Sequence, residues 1–218
     1  MLASPSPKSL KVGGWAALFE AFAYLFGFTF LVLWFAPAVD QESSPLDRLQ
    51  FLLNHEQAYR WWLTVIYIFF GLALVPLVNS LYQLLNFSNW LNKCSAAFGI
   101  IWAGLVIASG MIGQVGLETA GRLHAIDPKQ ASVLWATIEA IQDGLGGGVE
   151  VVGGIWVLLV SILAWRLAKL TRLINLIGLL VGSIGVLTII PGLDFLGAAF
   201  GLLQIAWFIG VGYFLLRS

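Results

Sequence analysis

Six apolar windows dominate this chain, each near the roughly 20 residues that an α-helix needs to cross a bilayer. They fall at about 13–36, 61–85, 96–117, 144–165, 173–190 and 195–216. Windows this long imply helices, because a membrane barrel shows alternating segments of only about ten residues. Of the 218 residues 60% are hydrophobic and 10% charged, and mean hydropathy is +0.91. Soluble domains carry roughly 25% charged residues, so this chain has too few to cover a surface facing water. The expectation is an all-α polytopic membrane protein: one transmembrane domain over 1–218, folded as a six-helix bundle.

The 11 basic and 11 acidic residues balance, which leaves no excess of positive charge to attract nucleic acid. Cys94 is the one cysteine, so no intrachain disulfide and no CxxC site can form. Lys8 and Lys11 precede the first window, and Ala36-Pro37-Ala38 has the small-x-small form of a cleavage site. The window itself is far longer than the roughly 7–15 residues of a signal core, so it reads as a retained span.

With an even number of spans, one side of the membrane holds both termini, the 86–95 loop and the 165–172 loop. That side carries Lys8, Lys11, Lys93, Arg166, Lys169, Arg172 and Arg217 and no acid. Arg48, Arg60, Arg122 and Lys129 lie on the other side, mixed with Asp40, Glu42, Asp47, Glu56 and Asp127. The positive-inside rule then places both termini in the cytoplasm. Trp15, Trp90 and Trp165 mark the inner boundary by this reading, and Trp34, Trp61, Trp62 and Trp135 the outer one. In the first outer loop Leu46, Leu49, Leu52 and Leu53 recur at helical spacing. An amphipathic segment over about 46–59 therefore either lies on the outer interface or caps the bundle. Pro76 should kink the second span.

Functional interest centres on WATIEAIQDGLGGGVEVVGGIW, which leads into the fourth window. At 100° per residue Glu139, Asp143 and Glu150 share a narrow sector of a helix, flanked by Gly146 and Gly154. Glycine on a membrane helix face marks close helix approach, and Gly178-xxx-Gly182 and Gly197-xxx-Gly201 are its natural companions. Extended back to Val133, the segment is about 33 residues and exceeds a bilayer of roughly 30 Å. Either it projects outward past Trp135 or it breaks near 144–148. Glu150 falls within the hydrocarbon depth, where a charge costs about 2.5–3.5 kcal/mol, and no Lys or Arg lies in any span core to pair with it. Glu20 is a second intramembrane acid, on the face of the first span that carries Gly13, Ala16, Tyr24 and Gly27. Glu118 ends the third span with Gln114 one turn before it, and Asp194 reads as a cap on the sixth.

Glu118, Glu139, Asp143 and Glu150 form the candidate ligand-binding set, opening outward. Such a set suits a divalent cation held by oxygens, an amine-bearing solute or protons; the alternative is solvation and hydrogen bonding within the bundle. Catalysis is disfavoured: the chain has no HExxH or GxSxG. His55 and His124, the two histidines, stand in outer loops with no partner that their spacing demands. The partners expected are the lipid bilayer, a small-molecule or cation ligand, and a protein subunit or second copy on the glycine-rich faces.

LVPLVNSLYQLLN at 74–86, WAALFEAFAYLFGF at 15–28 and GLLQIAWFIGVGYFLLR at 201–217 resemble the bacterial domain-of-unknown-function 4386 family. The resemblance implies a small plasma-membrane protein with six spans and a long first outer loop. That family has no established activity, so no site residue follows from it, and QDGLGGG at 142–148 departs from its pattern. Ala17-xxx-Ala21 is also similar to the alanine faces by which substrate-capture subunits of energy-coupling-factor transporters dock. That likeness keeps open a solute-binding subunit working with partner proteins.

Overall fold

The computed structural model describes residues 6–40, 42–86, 89–193 and 195–218. Among them every regular element is helical: α1 Pro7–Leu33, α2 Ala36–Val39, α3 Pro45–Asn54, α4 Glu56–Leu63, α5 Phe70–Leu85, α6 Trp90–His124, α7 Pro128–Gln142, α8 Val151–Arg166, α9 Arg172–Leu187 and α10 Leu196–Arg217. Two π-helical segments, Thr64–Phe69 and Asp143–Gly147, join α4 to α5 and follow α7. The helix starts are local chemistry. Ser6, Ser44 and Asp127 each accept backbone N–H bonds from the first turn, and each is followed by Pro at the first helical position. Asp194 lies outside the described residues.

Five helical runs are long and apolar enough to cross a membrane: Pro7–Leu33, Glu56–Leu85, Trp90–His124, Pro128–Arg166 and Leu196–Arg217. The apolar helix α9 is shorter, at 16 residues. Six helices close into a ring, in which α1 packs on α5 and α10, α6 on α5 and α8, and α9 on α8 and α10. Side chains such as Phe22, Leu25, Leu72, Leu176 and Leu202 face outward from it, more than half exposed. A ring of this kind in a bilayer presents those side chains to lipid.

The ring closes where glycines let backbones touch. A Cβ on Gly154 of α8 would stand 2.7 Å from the Val186 amide nitrogen and 2.9 Å from the Gly182 carbonyl of α9. At the α1–α10 crossing a Cβ on Gly14 would stand 3.1 Å from the Gly212 carbonyl oxygen. Gly178 and Gly201 instead receive side chains, Trp207 on the first and Phe28 and Tyr24 on the second.

At the end of the ring away from the termini stands a second core. Phe35, Leu49, Leu52, Tyr59, Trp62, Leu63, Leu117, Ala120, Trp135 and Ile138 form a buried cluster distinct from that of the ring. It is built by α3, α4, α7 and the far half of α6. With 35 residues, α6 is about 52 Å long at 1.5 Å per residue and outreaches a hydrocarbon core of about 30 Å. The amphipathic segment is thus two helices of a cap: Leu49 and Leu52 are buried, and α3 packs on α7. Trp62 and Trp135 are core residues of this cap rather than boundary markers. Trp15, Trp90 and Trp165 at one end, and Trp34 and Trp61 at the other, are exposed.

Pro76 stays within α5, and the departure from α geometry lies before it at Thr64–Phe69. A polar clamp holds that transition. The Gln114 amide donates to the Arg60 carbonyl at 2.7 Å and to Thr64 Oγ1 at 3.0 Å, while Arg60 donates to the Gln114 carbonyl and side chain at 3.1 and 3.2 Å. Glu56 holds the other edge of the same guanidinium at 2.8 Å. Gln114→Ala strands these half-buried groups and is expected to destabilise the protein by about 1–3 kcal/mol. Chemical unfolding in detergent, read against the wild type, checks this.

Candidate functional site

A cavity of about 270 Å³ lies where the ring meets the cap. Ala23, Tyr24, Gly27, Phe28 and Leu31 of α1 form one wall, and Trp62 of α4, Ile66 and Tyr67 of the first π segment and Phe70 of α5 form another. Trp102 and Val106 of α6, Gly146, Glu150, Gly197 and Ala198 complete it. Both π-helical segments therefore reach this one space. Such segments cost regular hydrogen bonding and concentrate at functional sites.

Local chain geometry explains how Glu150 arrives there. Gly146 adopts φ +120°, a conformation open to glycine and strained for a residue with a Cβ. The fourth window thus breaks, and α8 begins at Val151 rather than near 144. The amides of Gly148 and Val149 fold back on the Asp143 carbonyl at 3.3 and 3.0 Å. Glu150 then sits at the N-terminus of α8, its own amide donating to Thr188 Oγ1 at 2.8 Å, and that hydroxyl donates to the Gly185 carbonyl at 2.7 Å. α8 covers about 24 Å with its 16 residues, less than a bilayer core of roughly 30 Å, and the break lies at its end away from the chain termini. The carboxylate gains from the positive end of the α8 dipole, which answers in part the lack of a basic partner. Its side chain is 7% exposed, and Oε2 meets no hydrogen-bond partner among the described residues.

The break also changes the acidic stripe. A single sector holding Glu139, Asp143 and Glu150 requires one continuous helix, and Gly146 interrupts it. Glu139 is half-buried and accepts the Trp135 indole N–H at 2.8 Å. Asp143 is exposed, and Glu118 is exposed and pairs with Arg122 at 3.5 Å. Of these four acids only Glu150 lines the cavity. Among the described residues no group of three His, Cys, Asp or Glu is placed to hold a metal ion.

Glu20 is fully buried, and neither of its oxygens has a partner among the described residues. It lies one helical turn from Tyr24, a cavity residue that meets both Phe70 of α5 and Gly201 of α10. Gly14 meets Gly212, and Tyr24 meets Gly201. This antiparallel register sets Glu20 level with the stretch of α10 around Gln204, whose side-chain amide is also buried and unpartnered.

What sequence reasoning missed is the aromatic lining. Tyr24 and Phe28 stack at 6.2 Å, Tyr24 meets Phe70 edge-on at 5.3 Å, and Phe70 meets Trp102 edge-on at 5.5 Å. Trp62 meets Tyr67 edge-on at 6.4 Å. A usable signal existed in the i, i+4 pair Tyr24 and Phe28, which continues the face of Glu20. No protein-family model, curated protein or solved structure matches the chain.

Proposed function

We propose that this is a six-span protein of a bacterial plasma membrane, akin to the domain-of-unknown-function 4386 family, that binds a small solute in the cavity around Glu150. Both termini are cytoplasmic in this reading, so the cap and the cavity lie on the outer side. The positive-inside distribution of Lys and Arg supports the orientation. The observation that carries the binding reading is a buried, unpartnered carboxylate lining an interhelical cavity, at a break in an apolar helical run. Broken membrane helices whose half-helix ends face a cavity are a recurrent way to hold solutes, and intramembrane acids are seldom kept without a role. The second reading, a solute-binding subunit serving a transporter, draws on the same cavity and adds a partner on the glycine-lined faces.

Two measurements test the proposal. A membrane-impermeant maleimide should leave Cys94, a half-exposed thiol, unmodified in intact cells and label it in inverted vesicles. A cysteine placed at Lys129 should behave oppositely, and the reverse pattern overturns the orientation. For binding, unfolding temperature in detergent is followed against anionic, neutral and cationic small solutes. A solute at a hundred times its dissociation constant adds about 2.7 kcal/mol. At least one should stabilise the wild type and lose that effect in Ala198→Phe, which narrows the cavity. If no solute distinguishes the two proteins, the binding reading fails.

A further inference from the structure

We infer that the solute of this cavity is an organic ammonium ion, held by the Glu150 carboxylate and a cage of aromatic faces. The inference rests on the reading of the cavity as a ligand site and adds the chemical class. Six aromatic side chains line the space: Tyr24, Phe28, Trp62, Tyr67, Phe70 and Trp102. Their edge-on and stacked contacts, at 5.3 to 6.4 Å between centroids, make two continuous walls, one from Phe28 through Tyr24 and Phe70 to Trp102, the other from Trp62 to Tyr67. Aromatic faces are electron-rich and attract cations within about 6 Å of the ring, more strongly where water is excluded.

The charge balance points the same way. Glu150 is the one ionisable carboxylate of the lining, and no Lys, Arg or His stands among the described lining residues. An anionic solute would face that carboxylate with nothing to offset it. A neutral solute would bring Glu150 no opposite charge, whereas a cation supplies the partner that Oε2 lacks and favours the ionised carboxylate.

Size and donor set then separate organic from inorganic cations. About 270 Å³ approaches the roughly 300 Å³ lower limit of small-molecule pockets and is far larger than one bare ion. A hard divalent ion needs about six oxygen ligands, and the side-chain oxygens of this lining are one carboxylate and two phenols. An alkylated ammonium matches on each count: it carries charge, gives up water readily, and presents methyl or methylene groups to the rings. Recognition of quaternary ammonium by aromatic cages is the established use of such geometry.

The experiment compares choline with dimethylbutanol, its uncharged carbon isostere, by calorimetric titration of the full chain in detergent. Tetramethylammonium serves as a second cation. The cations should bind at least about tenfold more tightly than the isostere. Glu150→Gln should weaken the cations about tenfold or more while leaving the isostere unchanged, and Tyr24→Leu should weaken them severalfold. The comparison within the wild type needs no variant, so a misfolded mutant does not blunt it. An isostere that binds as well as choline overturns the ammonium class, although the cavity remains a binding site. Failure of both cations, while an anionic or neutral solute still distinguishes wild type from Ala198→Phe, also overturns the class and leaves the binding reading standing. If no solute of either kind binds, both readings fall together.

Discussion

Gly154→Leu should prevent α8 and α9 from closing, leaving protein that aggregates or migrates as a broad species in size-exclusion chromatography. Overpacking against side chains costs about 1–3 kcal/mol because the neighbours can move. Here the first added atom already meets backbone, with the Val186 nitrogen at 2.7 Å, the Gly185 carbonyl carbon at 2.8 Å and the Gly182 oxygen at 2.9 Å. Backbone within a helix yields only by moving the whole helix, so a loss above about 3 kcal/mol is expected, a large share of the roughly 5–15 kcal/mol that holds a domain. Gly104 of α6 supplies the control. A Cβ there meets nothing within 4 Å, and Gly104→Ala should be neutral or stabilise by up to about 1 kcal/mol through helix propensity. Equal behaviour of the two variants in thermal unfolding would overturn the close-packed account of the α8–α9 crossing.

The second large effect is expected at Trp102→Ala. Trp102 is 2% exposed and meets Phe70 at 5.5 Å, Trp156 at 5.6 Å and Phe200 at 6.2 Å between ring centroids. Gly153 is the seat beneath it, since a Cβ there would stand 2.7 Å from the indole. Removing a buried aromatic typically costs about 3–5 kcal/mol. This one also opens the cavity toward α8 and α10, so the variant should lose solute-dependent stabilisation as well as unfolding temperature. Trp15→Ala, at a position 67% exposed on α1, should change unfolding in detergent by less than about 1 kcal/mol. A Trp102 variant no worse than that one would mean that the indole is not a keystone.

The two predictions concern features of unequal visibility in the sequence. Gly154 was legible: glycine on the face of a membrane helix marks close approach, and the companion glycine Gly182 could be named. Trp102 was not. In a membrane helix lipid-facing and protein-facing positions are both apolar, so Trp102, fully buried, and Trp90, exposed on the same helix, carry the same local signal. The cap was half legible for a related reason. Leu49 and Leu52 at helical spacing showed an amphipathic segment, but nothing local distinguished a membrane surface from a second core as the thing it packs on. That answer depends on α6 outrunning the bilayer and on α7 returning along it, both of which are long-range facts.

At the proposed site, Glu150 was recognisable because charge in an apolar window is rare. The shared sector of Glu139, Asp143 and Glu150 held only for an unbroken helix through 144–148, and of the two alternatives read from the sequence the chain takes the break. The glycines that suggested close packing were also what allowed the break, and one residue, Gly146, redirects the chain. Sequence periodicity has no means of showing a positive φ. The aromatic walls come from three separate stretches of chain, and only the Tyr24–Phe28 and Trp62–Tyr67 pairs are local.

The closed ring has a consequence for how the protein is made. α1 and α10 are neighbours in space, yet many residues of synthesis separate their entry into the membrane. Until α10 arrives, the face of α1 that carries Gly14 lacks the helix that covers it, and Glu20 nearby on the same helix sits in an incomplete bundle beside lipid or insertion machinery. A nascent chain is thus at its most vulnerable early, and the joining of its two ends is the event that releases it from assistance. Variants that weaken the Gly14–Gly212 contact should therefore show their defect first in cellular yield and turnover by membrane proteases, before any loss is seen in the purified, assembled protein.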